Sequence, residues 1–378
     1  MKSGTKVFIH SPELDNYPYP PHCPFDSSRA GKTRNTLNSM GHLSGPDRKE
    51  IPANPPSIAQ LHEFHSPTYL TALQRAGDRH LDHQALQLGL GREDTPIFDG
   101  MFDYAALACG ATLTGAQLIL SNEAQIVFNP SGGYHHAHPE SASGFCYIND
   151  PVIACLFLTK AARKVLFLDI DAHHADGVQD AFYRRNDVMT ISLHESGKTL
   201  FPGTGFATEI GTKAGLGFCA NIPLPVGIQD QAYLRVFREV VPPLIDVYAP
   251  DIILLEIGAD ALAGDPLTHL ALTNNVYAEI IQTLLAYRKP ILATGGGGYN
   301  VQNTVRAWAL AWTALCGDSS PADLVAGLGG VMLESTDWQG GFRDRVQVPD
   351  TSRQQAIDTE LDAVIRELHS TLFPIHGL

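Results

Sequence analysis

Residues 165–177 read VLFLDIDAHHADG. An apolar run, Val165–Leu168, passes directly into three carboxylates and two imidazoles within the eight residues Asp169–Asp176. A short, continuous apolar run is the pattern of a strand covered on both faces. The abrupt change of character puts the polar groups at that strand's carboxyl end. In extended backbone Asp169, Asp171 and His173 alternate onto one side. Such a cluster is costly to bury without cations or hydrogen-bond partners. A second run, IILLEIGAD (residues 252–260), ends in another carboxylate, Asp260. Asp171, His173 and Asp260 therefore make a three-ligand set for a divalent metal with an open position, as a hydrolase needs to activate water.

The same rhythm continues outward along the chain. Strands are expected at Lys6–Ile9, Gln125–Phe128, Val165–Asp171, Val188–Leu193, Ile252–Ile257 and Pro290–Thr294. Helices are expected at Phe102–Leu120, Pro151–Ala161, Asp230–Tyr248, Val276–Tyr287, Asn303–Leu315 and Ile357–Leu372. Strands alternating with helices predict an α/β fold, one parallel sheet with helices on both faces. Proline and glycine concentrate in Asn16–Pro24, Gly41–Pro56, Leu200–Gly217 and Gly327–Gly341, which read as long loops within one domain, residues 1–378. In open parallel sheets, active sites lie beyond the carboxyl ends of the strands. Asp171, His173, Asp260 and Tyr299 all fall there.

Composition narrows the function classes. Hydrophobic residues make up 44% and charged residues 17%, which fits a large core. The net charge is −14, and no basic stripe appears, so nucleic-acid binding is not expected as the main activity. No apolar stretch reaches the roughly 18 residues of a membrane span, and the start, MKSGTKVFIHS, reads as a strand rather than a secretory signal. The cysteines Cys23, Cys109, Cys146, Cys155, Cys219 and Cys316 are scattered without a CxxC pair. Free thiols in a reducing cytoplasm are expected.

Three further motifs surround the metal set. Ser131-Gly132-Gly133-Tyr134-His135-His136-Ala137-His138 follows a strand. Paired imidazoles beside a metal suit general acid and base work, with Asp169 and Asp176 as orienting carboxylates; as ligands or structural groups they would read differently. Gly258–Pro266 supplies Asp260, while Asp265-Pro266 reads as a turn. Thr294-Gly295-Gly296-Gly297-Gly298-Tyr299 lacks a following GK[ST], so it reads as a flexible run presenting a tyrosine hydroxyl to an oxyanion.

HHA followed by SGFCYIND, then DIDAHHADG, VMTISLH, FPGTG, GAD with GDPL, and GGGGYN, in this order, resembles the zinc-dependent histone deacetylase family. The class I enzymes and the bacterial acetoin-utilisation and deacetylase-like proteins look most similar. The resemblance runs from about Asp94 to Leu315 and is weak in the flanks. It implies an arginase/deacetylase-type fold with a central eight-stranded parallel sheet. It implies one catalytic Zn²⁺ on Asp171, His173 and Asp260. His135 (with Asp169) and His136 (with Asp176) would be the acid–base pair, His136 the base, and Tyr299 the group that polarises the acetyl carbonyl. It also implies K⁺ on Asp169, Ser192 and the backbone carbonyls of Asp171, His173 and Leu193, and a second monovalent site near Phe182, Arg185, Val188 and Phe218. Gly144, Phe145, Phe201 and Leu267 match the walls of an acyl-lysine tunnel, and Asp94 a rim acid that holds substrate backbone. The substrate implied is an acetylated lysine or another acetylated amine; the oligomeric state stays open.

Departures and rivals bear on this reading. Tyr134 and Ala175 depart from common family residues, which touches rim shape and substrate choice. Arginase-like enzymes hold two Mn²⁺ with extra carboxylates at positions that here are Ala175 and Gly258, so a single catalytic metal is favoured. An acetylpolyamine hydrolase would want an acid at the tunnel mouth, where Leu267 stands, which favours acyl-lysine; Asp94 and the negative charge keep polyamines open. A non-catalytic binding module would have no use for both histidines, their carboxylates and Tyr299 together.

Overall fold

The structure is a computed structural model that describes residues 4–17, 19–318, 341–347 and 351–378. Its eight strands are β1 (Lys6–Ile9), β2 (Arg48–Ile51), β3 (Ile126–Asn129), β4 (Val165–Asp169), β5 (Val188–Glu195), β6 (Cys219–Leu224), β7 (Ile252–Glu256) and β8 (Ile291–Thr294). They form one sheet in the order β2-β1-β3-β8-β7-β4-β5-β6, with every pairing parallel. This is the eight-stranded architecture expected.

Side-chain alternation divides the central strands between two cores. Val165 and Phe167 of β4, with Ile252 and Leu254 of β7, pack with apolar residues of the helices Met101–Leu120 and Asp150–Lys160. Leu166 and Leu168, with Ile253 and Leu255, pack with the helices Asp230–Tyr248, Asn275–Ala286 and Val301–Leu315. Both faces being dry explains why the strands read as unbroken apolar runs. Helix starts follow local chemistry. Asn149 caps Asp150–Lys160 by accepting from the Val152 N–H at 3.0 Å, and Asn300 caps Val301–Leu315 through the Asn303 N–H.

The six expected strands are present within two residues at their ends. The expected loop Gly41–Pro56 needs correction, because it contains β2. Strand β6 was also missed. Both are edge strands of the sheet. Unpredicted helices lie at Arg29–Ser39, Pro67–Gly77 and Asp176–Phe182. The loop Leu200–Gly217 holds only a short 3₁₀ turn at Lys213–Gly215. Of the loop expected at Gly327–Gly341, all but Gly341 lies outside the described residues, as do Met1–Ser3. No helix among the described residues is long and apolar enough to cross a membrane. All six cysteines are unpaired.

Candidate active site and metal centre

The turns after four adjacent strands, β3, β8, β7 and β4, meet at one point on the carboxyl edge of the sheet. After β4 come Asp171 and His173, after β7 Asp260, after β3 the pair His135–His136, and after β8 Tyr299. His173 Nδ1 lies 2.9 Å from Asp260 Oδ2 and 3.2 Å from Asp171 Oδ1. One potential ligand atom from each of the three residues lies within 4.8 Å of the others, and all three are buried. The Asp171 carboxylate also accepts from the Gly297 N–H at 2.7 Å, which ties the β8 glycine run to the β4 turn.

Electrostatics test whether this set fits a cation. Burial pushes the His173 pKa down, but the Asp171 and Asp260 carboxylates outweigh it and raise it to about 10. Burial and the Asp171 charge together raise Asp260 to about 7. Two carboxylates with one imidazole in a dry pocket thus hold protons as counter-charge. A divalent ion replaces those protons with a stronger partner. The oxygen and nitrogen donors, and the opening onto a small cleft lined by Phe145, His136 and Tyr299, fit a metal of the zinc type.

The two histidines differ in their surroundings. His135 Nδ1 lies 2.8 Å from Asp169 Oδ2 and 3.0 Å from Glu256 Oε1. His136 Nδ1 lies 2.7 Å from Asp176 Oδ1, and the two Nε2 atoms face each other at 3.0 Å. Burial lowers both pKa values. For His135 the Glu256 and Asp169 charges override it and hold the ring well above its ordinary value. For His136 the cationic His135 adds to burial, and the value falls to about 4. Both Nδ1 atoms face carboxylates, and these surroundings favour the charged form of His135 and the neutral form of His136. Environments that drive paired groups apart in this way set up an acid and a base. Burial, then the charges of Asp260 and Asp171, raise the Tyr299 hydroxyl well above its usual pKa, so it stays a donor.

The rim residues are placed unevenly. Asp94 Oδ2 accepts from the Gly144 N–H at 2.9 Å, and the Asp94 carbonyl accepts from the Phe145 N–H. Phe145 packs 5.5 Å from the Tyr299 ring and Phe201 5.0 Å from His136, so the two rings flank the cleft. Leu267 is half-buried in the turn that follows Asp265. Its N–H donates to Asp265 Oδ1, while Asp265 Oδ2 accepts from the Tyr299 N–H at 2.7 Å. Asp265 is therefore a turn former, as expected, and also the anchor of Tyr299.

Asp169 and Ser192 are register partners on β4 and β5, and Ser192 Oγ lies 2.8 Å from His194 Nδ1. Leu193 is buried beside them. In the second proposed cation set, the Phe182 carbonyl accepts from the Arg185 N–H and the Phe218 carbonyl from the Thr190 N–H, two residues beyond Val188.

Sequence reasoning missed three participants. Glu256 is fully buried, is the register partner of Asp169, and lies with it and His135 in a second compact cluster. Its Oε1 lies 3.0 Å from His135 Nδ1, but neither oxygen accepts a well-aligned hydrogen bond among the described residues. A carboxylate inside IILLEIGAD, on the same strand parity as Asp260, was the available signal. Asp150 accepts from the Gly133 and Tyr134 N–H groups and from Thr112, and so anchors the histidine turn. Asn149 Nδ2 donates to the carbonyls of His135 and Ala137.

Comparison with known proteins agrees with this geometry. A family model described as "Histone deacetylase domain" matches residues 23–315, beginning well before the motif region that starts near Asp94. The chain is 38% identical to histone deacetylase B of Dictyostelium discoideum, over 84% of this chain and 75% of that protein. It is 39% identical to the acetoin utilization protein AcuC of Bacillus subtilis (strain 168), over 82% of each. A solved HDAC homolog from Aquifex aeolicus superposes with a TM-score of 0.84 at 29% identity, covering 96% of this chain and 100% of that one. An HDAC homolog solved in complex with SAHA gives 0.85 at 28% identity, over 96% and 99%.

Proposed function

Because the chain belongs to the histone deacetylase family, and is thereby a hydrolytic deacetylase, we propose that it removes acetyl or short acyl groups from lysine side chains at the Asp171/His173/Asp260 centre. The observation that carries this reading is the His135/His136 pair beside that centre, each Nδ1 facing a carboxylate and the two Nε2 atoms 3.0 Å apart. A zinc ion held by Asp171, His173 and Asp260 would supply Lewis-acid polarisation of the carbonyl and activation of water.

The chain's own residues do the rest. Phe145 and Phe201 grip the acyl-lysine stem. Tyr299 donates its hydroxyl to the carbonyl oxygen, where negative charge develops. His136 takes a proton from the attacking water through Nε2, while Asp176 holds its Nδ1–H. The histidine pair then returns a proton to the departing amine nitrogen. The products are acetate and a free amine.

We assign one metal per chain. His135, Asp169 and Glu256 also cluster, but the Nδ1 of His135 is committed to the carboxylates and its Nε2 to His136. Potassium at the Asp169/Ser192 site, and near Phe182, Arg185, Val188 and Phe218, belongs to the same proposal, as do a single deacetylase domain and a cytoplasmic location. A panel of acetyl-lysine peptides, N-acetylputrescine and small acetylated amides, run with and without chelator, tests it. Acetyl-lysine peptides should turn over fastest, with activity lost to chelator and restored by zinc. Faster turnover of N-acetylputrescine would reassign the substrate to polyamines. Inactivity on every substrate, with metal bound, would reduce the site to a binding module.

A further inference from the structure

His138 ends the histidine motif but takes no part in the mechanism above. It closes a tight turn by exchanging backbone contacts with Ser141. Its Nε2 lies 3.4 Å from Asp176 Oδ2, and its Nδ1 lies 3.4 Å from Asp180 Oδ2. The other oxygen of Asp176, Oδ1, faces His136 Nδ1 at 2.7 Å and also accepts from the Gly177 N–H. One carboxylate is therefore shared by two imidazoles, one buried at the reacting centre and one near the surface. Side-chain exposure rises along the row: 5% at His136, 15% at Asp176, 26% at His138 and 63% at Asp180.

With a carboxylate opposite each ring nitrogen, His138 carries both protons and a positive charge. Contacts to Asp176 and Asp180 outweigh burial and push its pKa to about 10. The neighbouring ring, His65, is buried and held neutral by desolvation, with a pKa near 3, so it adds no competing charge. A cation on Oδ2 opposes rotation of the Asp176 carboxylate, which would otherwise swing Oδ1 off His136.

We propose that His138 is a positioning residue for the deacetylation base: it clamps Asp176 so that His136 keeps its Nδ1–H on the carboxylate and its Nε2 lone pair on the reacting atoms. This rests on the reading of His136 as base. The alternative is that His138 merely ties its turn to the helix Asp176–Phe182.

The test compares H138A, H138Q and H138K with the wild type and with H136A, all assayed on an acetyl-lysine peptide. H138A and H138Q should lower kcat about tenfold with KM unchanged, a fraction of the roughly 10²- to 10⁴-fold that a positioned base contributes. H138K, which restores a cation, should recover most of that loss. A second readout needs no turnover. In the metal-free protein, the downfield proton resonance of the His136 Nδ1–H should shift or broaden in H138A and H138Q and return in H138K. A kcat within twofold of wild type in H138A and H138Q overturns the proposal, and so does an H138K variant as impaired as H138Q. If H138A fails to fold, the H138Q and H138K pair decides the matter alone. Unimpaired turnover by H136A would instead sink the base assignment beneath it, an outcome independent of how the His138 variants behave.

Discussion

Tyr299 and phenylalanine differ by one hydroxyl, and that hydroxyl is the only neutral side-chain donor assigned to the substrate oxygen. Tyr299→Phe keeps the ring contact with Phe145 and the backbone bond to Asp265. It should therefore lower kcat by roughly 10²- to 10³-fold with little change in KM, as loss of an oxyanion donor does; steady-state kinetics decides it, and an unchanged kcat would remove Tyr299 from the mechanism. Glu256 leads to a stability prediction. Burial, then the charge of Asp169, raises its pKa well above the usual value, despite the His135 cation. An acid whose folded pKa is raised supports the fold while protonated, below about pH 4.5, and loses that support as pH climbs through the folded value. Glu256→Gln should therefore melt at a higher temperature than the wild type, with the gap widening from pH 5 to pH 8. An equal or lower melting temperature at pH 8 would mean that the carboxylate is compensated in some other way. Residues such as Asp171, His173 and the His135–His136 pair were legible because their density itself is costly in a core. Glu256 and Asp150 were not, because their partners come from distant strands and turns that no local pattern links to them.

At the scale of elements, β2 and β6 escaped the sequence reading for one physical reason. Each sits at an edge of the sheet. Strand β2, RKEI, is partly exposed and carries three charged residues before its one apolar residue, Ile51, so no apolar run marks it. Strand β6, CANIPL, is buried yet interrupted by Asn221, whose amide is satisfied by Gln179 and Glu209, and by Pro223, which an edge strand tolerates. The four strands that carry the site were readable because helices cover them on both faces. The turns after them depend on missing side chains as much as on those present. A Cβ on Gly297 would stand 2.0 Å from Asp260 Oδ2, and one on Gly258 1.9 Å from Asp171 Oδ2. Gly297→Ala keeps the N–H that Asp171 accepts, so its effect would come from crowding alone. Zinc affinity should fall by about 10- to 100-fold, the usual cost of disturbing the groups that orient ligands. Competition with a chromophoric chelator measures it, and unchanged affinity would show that the carboxylate is not confined there.

For the whole molecule, the missing carboxylates at Ala175 and Gly258 and the committed nitrogens of His135 predict one catalytic metal per chain. Elemental analysis of protein loaded with excess zinc or manganese and then desalted should return one ion. Two manganese ions per chain would turn the reading towards the arginase pattern. Zinc should also raise the melting temperature, since it binds only the folded arrangement.

The meeting of four turns at one point has a dynamic consequence. Turns leaving β3, β4, β7 and β8 belong to segments far apart in sequence, and in the metal-free chain they are stitched together by a handful of proton-sharing contacts. An ion on Asp171, His173 and Asp260 ties the β4 and β7 turns directly, and through the Gly297 N–H on Asp171 it reaches the β8 turn as well. Amide exchange should then slow together at residues 171–173, 258–260 and 296–299 as zinc is titrated, with one common midpoint. The ion would act as a mechanical rivet as well as a reagent, and the loss of a single ligand would loosen all three turns at once.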